Sequence, residues 1–273
     1  MEGIADYVFL RHLGQGPHGQ VQLARTPARL GIEDEQVAVK VLAGVTSREA
    51  FYQVARELGS VAALRSDRVA RLFDVGLDDG RAYLAMRYYP QGSLTEPRKE
   101  LSRRQRLVAV SRAARAAHEL HEAGTVHRAI KLSNVLLDEA GGCLSDPGTA
   151  QLLKPGLTVT GLGPRSDMGS NSELEYVDPW LLRGRHVGRS SDIWSLGVTL
   201  HMALTGHGLY PAMPSADPLV AVRLHVKATP ELDPDLVAEE RAVIARALHW
   251  DRAQRYRTAG ELADDIDALV RAR

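Results

Sequence analysis

The spacing of hydrophobic residues divides the chain into a strand-rich first part and a helical second part. Alternating or short apolar runs indicate strands at 7–10, 21–24, 37–41 and 83–86. Helical spacing predicts helices at 47–64, at 103–123, from about residue 192 onward, and at 259–271. A Pro-Gln-Gly break at 90–92 separates the parts. The pattern alone therefore predicts a small strand-rich lobe joined to a larger helical lobe.

Composition narrows the class of protein without assigning a function. The apolar fraction of 44% and the charged fraction of 25% are those of an ordinary globular protein. A formal net charge of +0 gives no general attraction to nucleic acid or to an anionic membrane. The single cysteine, Cys143, cannot form an internal disulfide, which fits a reducing compartment. With no signal peptide and no apolar run of membrane-spanning length, we expect a cytoplasmic protein.

A glycine-rich segment follows the first predicted strand. Gly14, Gly16, Gly19 and Val21 match the pattern G-x-G-x-x-G-x-V. Glycines at this spacing let the backbone approach phosphate oxygens, although the pattern alone also fits a plain hairpin turn. A dinucleotide-binding motif would need a helix directly after the glycines. The residues 21–24 indicate a strand instead, so the pattern argues against that alternative.

Lys40 ends the run Val-Ala-Val-Lys on the next predicted strand. A cation there can reach nucleotide phosphates held by the glycine-rich turn, whereas in isolation it would be a solvent-facing strand residue. Glu57 lies on the helix that follows, where its carboxylate could pair with Lys40 or simply face solvent. Glu49 is the rival partner.

The segment 127–134 reads His-Arg-Ala-Ile-Lys-Leu-Ser-Asn. It resembles the catalytic loop of protein kinases, His-Arg-Asp-x-Lys-x-x-Asn, and every polar position matches except Ala129, which stands where the catalytic aspartate is expected. Asp146-Pro147-Gly148 follows twelve residues later, where that family has Asp-Phe-Gly.

Further motifs occur in the same order as in that family. Residues 83–89 resemble the strand and hinge that hold adenine, residues 191–197 resemble the start of the central buried helix, and residues 248–255 resemble a late segment ending in a buried arginine. The chain thus resembles bacterial serine/threonine protein kinases of the eukaryotic type over nearly its full length. The resemblance implies an α+β bilobal fold with a small antiparallel-sheet lobe at 1–90, a mostly helical lobe at 91–273, and an activation loop at about 146–180.

The resemblance also implies a site and its cofactors, ATP and Mg²⁺. The nucleotide would be bound by Gly14, Gly16, Gly19, Val21, Ala38, Lys40, Met86 and Tyr88, with Met86 as gatekeeper. Asn134 and Asp146 would hold Mg²⁺. The catalytic group would comprise Lys40, Glu57, Lys131 and the position of Ala129. The implied reaction is phosphoryl transfer from ATP to a protein serine or threonine, so a protein substrate or binding partner is expected.

Two further departures lie near the substrate side. Pro147 replaces a phenylalanine, which puts the switching of that ring in doubt but not metal binding. The family's Ala-Pro-Glu becomes Asp178-Pro179-Trp180, and Trp180 cannot form the ion pair with the arginine that Arg255 resembles. Its ring face could contact that guanidinium instead.

Ala129 leaves three interpretations open: a natural pseudokinase, an engineered inactivation of an active kinase, and an active kinase that uses another base or water. A pure interaction module is a further alternative. Its loop at about 154–175 and the residues beside it could accept phosphate, and Arg128 could then pair with the phosphorylated residue. The candidate phosphate acceptors are Thr149, Thr158, Thr160, Ser166, Ser170 and Ser172. Antibiotic phosphotransferases share the general fold, but the glycine-rich turn and residues 191–197 favour the protein-kinase branch.

Overall fold

The structure is a computed structural model that describes residues 3–16, 19–147, 171–210, 225–226 and 228–272. Within these ranges the side chains of Val54, Glu57 and residues 171–173 are not described. Five of the predicted phosphate acceptors lie outside the described residues, and the side chain of the sixth, Ser172, is not described.

The first lobe is built on a six-stranded antiparallel sheet. Its strands, in the order β1-β2-β3-β4-β6-β5, are β1 Gly3–Ile4, β2 Tyr7–Gly16, β3 Gly19–Arg25, β4 Gln36–Leu42, β5 Leu72–Asp78 and β6 Arg81–Arg87. The alternating pattern predicted four of these strands. It missed the two-residue strand β1 and also β5, whose sequence Leu-Phe-Asp-Val-Gly-Leu-Asp has no regular apolar/polar alternation and whose residues are all half-buried.

One helix, α1 (Arg48–Ala63), lies against this sheet and confirms the predicted helix at 47–64. Ser47 caps it, because its side chain accepts a hydrogen bond from the Ala50 amide at 3.2 Å. Leu58 is 2% exposed and packs with Leu42 and Leu84 of the sheet. The predicted apolar face therefore anchors the helix.

The second lobe is helical. Its helices are α2 Arg103–Glu122, α3 Pro179–Leu182, α4 Arg189–Thr205, α5 Ala238–Ala247 and α6 Ala259–Arg271. A two-stranded sheet, β7 Val135–Leu136 and β8 Cys143–Leu144, lies at the edge nearest the first lobe. The α4 helix begins at Arg189, slightly before the predicted start, and is buried over most of its length. Alanines on α2 are fully buried and allow the close approach of its neighbours.

Backbone hydrogen bonds join the two lobes beside the cleft between them. Leu144 of β8 donates to the Arg68 carbonyl at 2.7 Å and accepts from the Ala70 amide at 2.9 Å. This link places the end of β8, and the residues that follow it, opposite β4. No helix within the described ranges is long and apolar enough to cross a bilayer.

Candidate active site

A cavity of about 740 Å³ lies between the sheet and the helical lobe. Its lining includes all eight predicted nucleotide-binding residues: Gly14, Gly16, Gly19, Val21, Ala38, Lys40, Met86 and Tyr88. Lys131, Asn134 and Asp146 line its other side. The structure therefore brings together residues that lie far apart in the sequence. Ala129 is not among the described lining residues, and Glu57 lies in α1 with its side chain outside the description.

The glycine-rich segment forms the end of the β2–β3 hairpin, with Gly16 paired to Gly19. Gly19 has a φ of 137°, and a Cβ there would lie 2.0 Å from the Val41 carbonyl oxygen. Glycine is therefore required at this position by the approach of β4. Gly14 and Gly16 have no atom within 4 Å of such a Cβ, so their lack of a side chain leaves space above the cavity.

Lys40 forms an ion pair with Asp146 across the cleft. Its place in the middle of β4, paired with Leu84 of β6, leaves it only 7% exposed. Burial of Asp146 opposes its ionisation, but the charge and hydrogen bond of Lys40 outweigh this effect and hold the pKa of that carboxyl below its ordinary value. Asp146 itself has a φ of 62°, a left-handed conformation that aspartate tolerates better than most residues.

His127 organises the loop that contains Ala129. Its Nε2 lies 3.1 Å from the Ser145 carbonyl oxygen, and its Nδ1 accepts a hydrogen bond from the Ala129 amide at 3.3 Å. A carbonyl oxygen only accepts, so these partners assign the proton to Nε2 of a neutral ring. His127 is fully buried, and this burial lowers its pKa.

Asp192 is a site residue whose role the sequence motifs did not reveal. Its buried carboxylate accepts hydrogen bonds at 2.8 Å from the amides of His127 and Arg128 and from Nε2 of His121. Arg128 has a φ of 69°, so these bonds hold the loop in an otherwise unfavourable backbone conformation. The first turn of α4 thereby fixes the loop.

Asn134 and Asp146 supply the oxygen ligands that Mg²⁺ prefers. The Asn134 side-chain amide donates through Nδ2 to the Ala129 carbonyl at 2.7 Å, which leaves its Oδ1 as an available acceptor. With an ionised carboxylate and a neutral amide oxygen on one wall of the cavity, the donor set fits this hard cation. No group of three or more His, Cys, Asp or Glu side chains among the described residues is arranged to hold a metal on its own.

Arg255 contacts a different tryptophan from the one considered above. The guanidinium of Arg255 lies 5.0 Å from the ring centroid of Trp194, and it pairs with Asp178 at 2.9 Å. Arg252 binds the same carboxylate at 2.7 Å. Asp178 lies two residues before the position where the family has its glutamate, so an aspartate has taken over the ion pair. The sequence contained a sign of this ion pair, because Asp178 is a carboxylate at a position where the family has alanine.

A second buried carboxylate, Glu175, lies just before this segment. It accepts a hydrogen bond from the Leu209 amide at 2.6 Å, and a Cβ on Gly208 would lie 2.4 Å from its Oε1. Burial raises the pKa of Glu175, and the amide hydrogen bond only partly offsets this effect.

Comparison with known proteins agrees with this geometry. A family model described as a protein kinase domain matches residues 7–265. Serine/threonine-protein kinase PknJ of Mycobacterium tuberculosis is 32% identical over 279 residues, which cover 97% of this chain and 46% of PknJ. Serine/threonine-protein kinase PknA of the same species is 32% identical over 280 residues, covering 97% of this chain and 61% of PknA. The chain thus spans less than two thirds of either relative.

A solved structure gives the same fold. The crystal structure of the Mycobacterium tuberculosis PknI kinase domain matches with a TM-score of 0.69 and 24% sequence identity, over 98% of this chain and 97% of that one. The bilobal α+β fold expected from the sequence is therefore confirmed. On the family match and the identity to bacterial relatives, the chain belongs to the protein kinase family and is a serine/threonine protein kinase domain of the bacterial type.

Proposed function

We propose that this chain binds Mg-ATP in the cavity between its lobes, and that its family reaction is transfer of the γ-phosphoryl group to a protein serine or threonine. The observation that carries this proposal is the joint lining of one cavity by the glycine-rich turn, Lys40, Asn134 and Asp146. The proposed domain covers 1–273, with the lobes divided near residue 90 and the activation loop at about 146–180. A cytoplasmic location and a protein partner complete the proposal.

The charges of Lys40 and Asp146 suit an exchange of partners on nucleotide binding. The ammonium group of Lys40 can bind a phosphate oxygen instead of the carboxylate, while Asp146 and Asn134 hold the cation. The bound metal supplies charge neutralisation of the phosphates. Lys131 adds a second cation at the opposite wall, and burial of the ammonium of Lys40 strengthens its interaction with phosphate.

Ala129 limits the chemical step in this proposal. Its methyl group offers no acceptor for the substrate hydroxyl proton, while its backbone still holds His127 and Asn134. A general base contributes roughly 10²–10⁴ in rate, which corresponds to about 3–5 kcal/mol of barrier. We therefore expect strongly impaired transfer with nucleotide binding intact. The second candidate function, a pseudokinase that acts as an ATP-responsive scaffold, rests on the same residue.

Thermal melting tests nucleotide binding directly. Mg-ATP at about a hundred times its Kd should stabilise the fold by roughly 2.7 kcal/mol. Lys40→Met should abolish the nucleotide-induced shift, whereas the same change at the exposed Lys99 should retain it. Comparing the shift within each variant separates ligand binding from changes in the free protein. Asp146→Asn should weaken the dependence of the shift on Mg²⁺. The proposal fails if the unmodified chain shows neither a melting shift nor binding heat with Mg-ATP.

A further inference from the structure

A second cavity, of about 660 Å³, lies in the helical lobe away from the nucleotide site. It is bounded by α3, α4 and the end of α5, and its wall is mostly apolar, with Pro179, Trp194, Leu232 and Leu248 among its residues. A volume of this size falls within the range of roughly 300–1,000 Å³ that is typical of ligand pockets. None of the residues in its described lining belongs to the proposed nucleotide site.

Trp250 lines this cavity, and Trp180, which is not in the described lining, packs against it. Trp250 is 41% exposed, and its ring centroid lies 5.3 Å from that of Trp180. The indole Nε1 of Trp180 donates to the Trp250 carbonyl at 2.7 Å, so Trp180 holds Trp250 in place. Trp250 is one of several exposed large apolar side chains among the described residues, and tryptophan is enriched among residues that dominate binding energy. Because Asp178 has taken over the ion pair with Arg255, position 180 is released for this role.

The rim of the cavity is positively charged. The guanidinium of Arg183, which lines the cavity, lies 4.3 Å from the ring centroid of Trp250. The guanidinium of Arg185, outside the described lining, lies 5.7 Å from the ring centroid of Trp180. The structure shows no ion pair between either arginine and a described residue. The nearby carboxylate of Asp178 is fully buried and already bound to Arg252 and Arg255. The described lining contains Arg183 and His249 but no aspartate or glutamate.

We propose that this cavity is a docking site for a segment of a protein partner that carries an aspartate or glutamate beside a large apolar side chain. The partner's carboxylate would bind the guanidinium of Arg183, which is oriented by its contact with Trp250 and by a hydrogen bond to the Val226 carbonyl at 3.3 Å. The adjacent apolar side chain would enter the cavity. Charge complementarity selects this partner over a basic one, since a lysine or arginine entering the cavity would meet the guanidinium of Arg183.

An array of synthetic peptides tests the proposal without nucleotide, so its outcome is independent of the proposed ATP site. Each peptide has one glutamate or aspartate flanked by leucine, phenylalanine or tryptophan, and each has counterparts with the matching amide and with lysine. Binding is scored on the array and Kd values are measured by calorimetry. Acidic members should bind at least tenfold more tightly than their amide counterparts, and the lysine counterparts should not bind.

Variants assign the binding to this cavity. Arg183→Gln should remove the preference for the acidic peptides, Arg183→Lys should retain part of it, and Trp250→Ala should weaken binding of every member. Arg246→Gln is the matched control, because Arg246 makes a similar contact with Tyr256, at 4.0 Å from its ring, outside the cavity lining. The proposal is overturned if no acidic peptide is preferred, if Arg183→Gln keeps the preference while its melting temperature is unchanged, or if acetate competes as well as the peptides do.

Discussion

Replacing Asp178 by asparagine would leave two arginines without their shared carboxylate while keeping the size of the side chain. The side chains of Asp178 and Arg255 are both fully buried, and Arg252 is 27% exposed. Removing one partner of a buried ion pair costs about 3–5 kcal/mol, because the remaining charge stays desolvated. At about 2–4 °C per kcal/mol, the expected fall in Tm is roughly 6–20 °C. Asparagine can still accept the hydrogen bond from the Trp180 amide that begins α3.

The matched control is Asp264→Asn. Asp264 pairs with Arg115 at 2.6 Å, a distance as short as those at Asp178, but its side chain is 67% exposed. Exposed pairs contribute about 0–1 kcal/mol, so this substitution should change Tm by only a few degrees. Thermal and urea unfolding of both variants would be compared, with the slope against denaturant checked for equality. The contrast isolates burial, since the chemical change and the ion-pair distance are nearly the same.

Two results would refute the assignment of this ion pair to Asp178. One is an Asp178→Asn variant that is no less stable than Asp264→Asn. The other is an unchanged stability of Arg255→Gln, which removes the other buried partner.

Two other predictions concern catalysis and pH. Ala129→Asp should raise phosphoryl transfer to a generic basic protein by roughly 10²–10⁴, while Ala129→Asn should not; equal, negligible transfer by all three forms would favour the scaffold function. Burial lowers the pKa of three histidines, His127, His201 and His225. Histidines in the unfolded chain have pKa values near 6.5, so the unfolded chain binds more protons than the folded chain as the pH falls below about 7. The stability of the fold should therefore decline as the pH falls, by up to about 1.4 kcal/mol per pH unit for each histidine. The raised pKa of Glu175 acts in the opposite direction. The measurement is Tm between pH 7.5 and 5.5, and a Tm that rises over this range as the pH falls would contradict the prediction, as would an unchanged pH slope in His225→Gln.

The sequence predicted the structure best where the hydrophobic pattern and the spacing of motif residues indicate the same element. The apolar face of α2, with Leu107, Val110 and Leu120 fully buried, followed from helical spacing. The sequence predicted that a strand follows the glycine-rich turn and that Lys40 lies on the next strand, and the two strands are neighbours in the sheet. Strand β5 was missed because its half-buried residues follow no clear period. Ion pairs were harder to predict, because the partner of Arg255 depends on which carboxylate the fold brings within reach.

The sequence by itself determined most of the helices and strands, the order of the motifs and the missing carboxylate at Ala129, since these depend on residue type and spacing along the chain. Only the tertiary structure decided which charged groups meet. It paired Lys40 with Asp146 across the cleft, bound the loop of Arg128 to Asp192, and gave Arg255 the carboxylate of Asp178. These contacts join residues from 64 to 106 positions apart. Their energies depend on burial and distance, which local sequence does not encode.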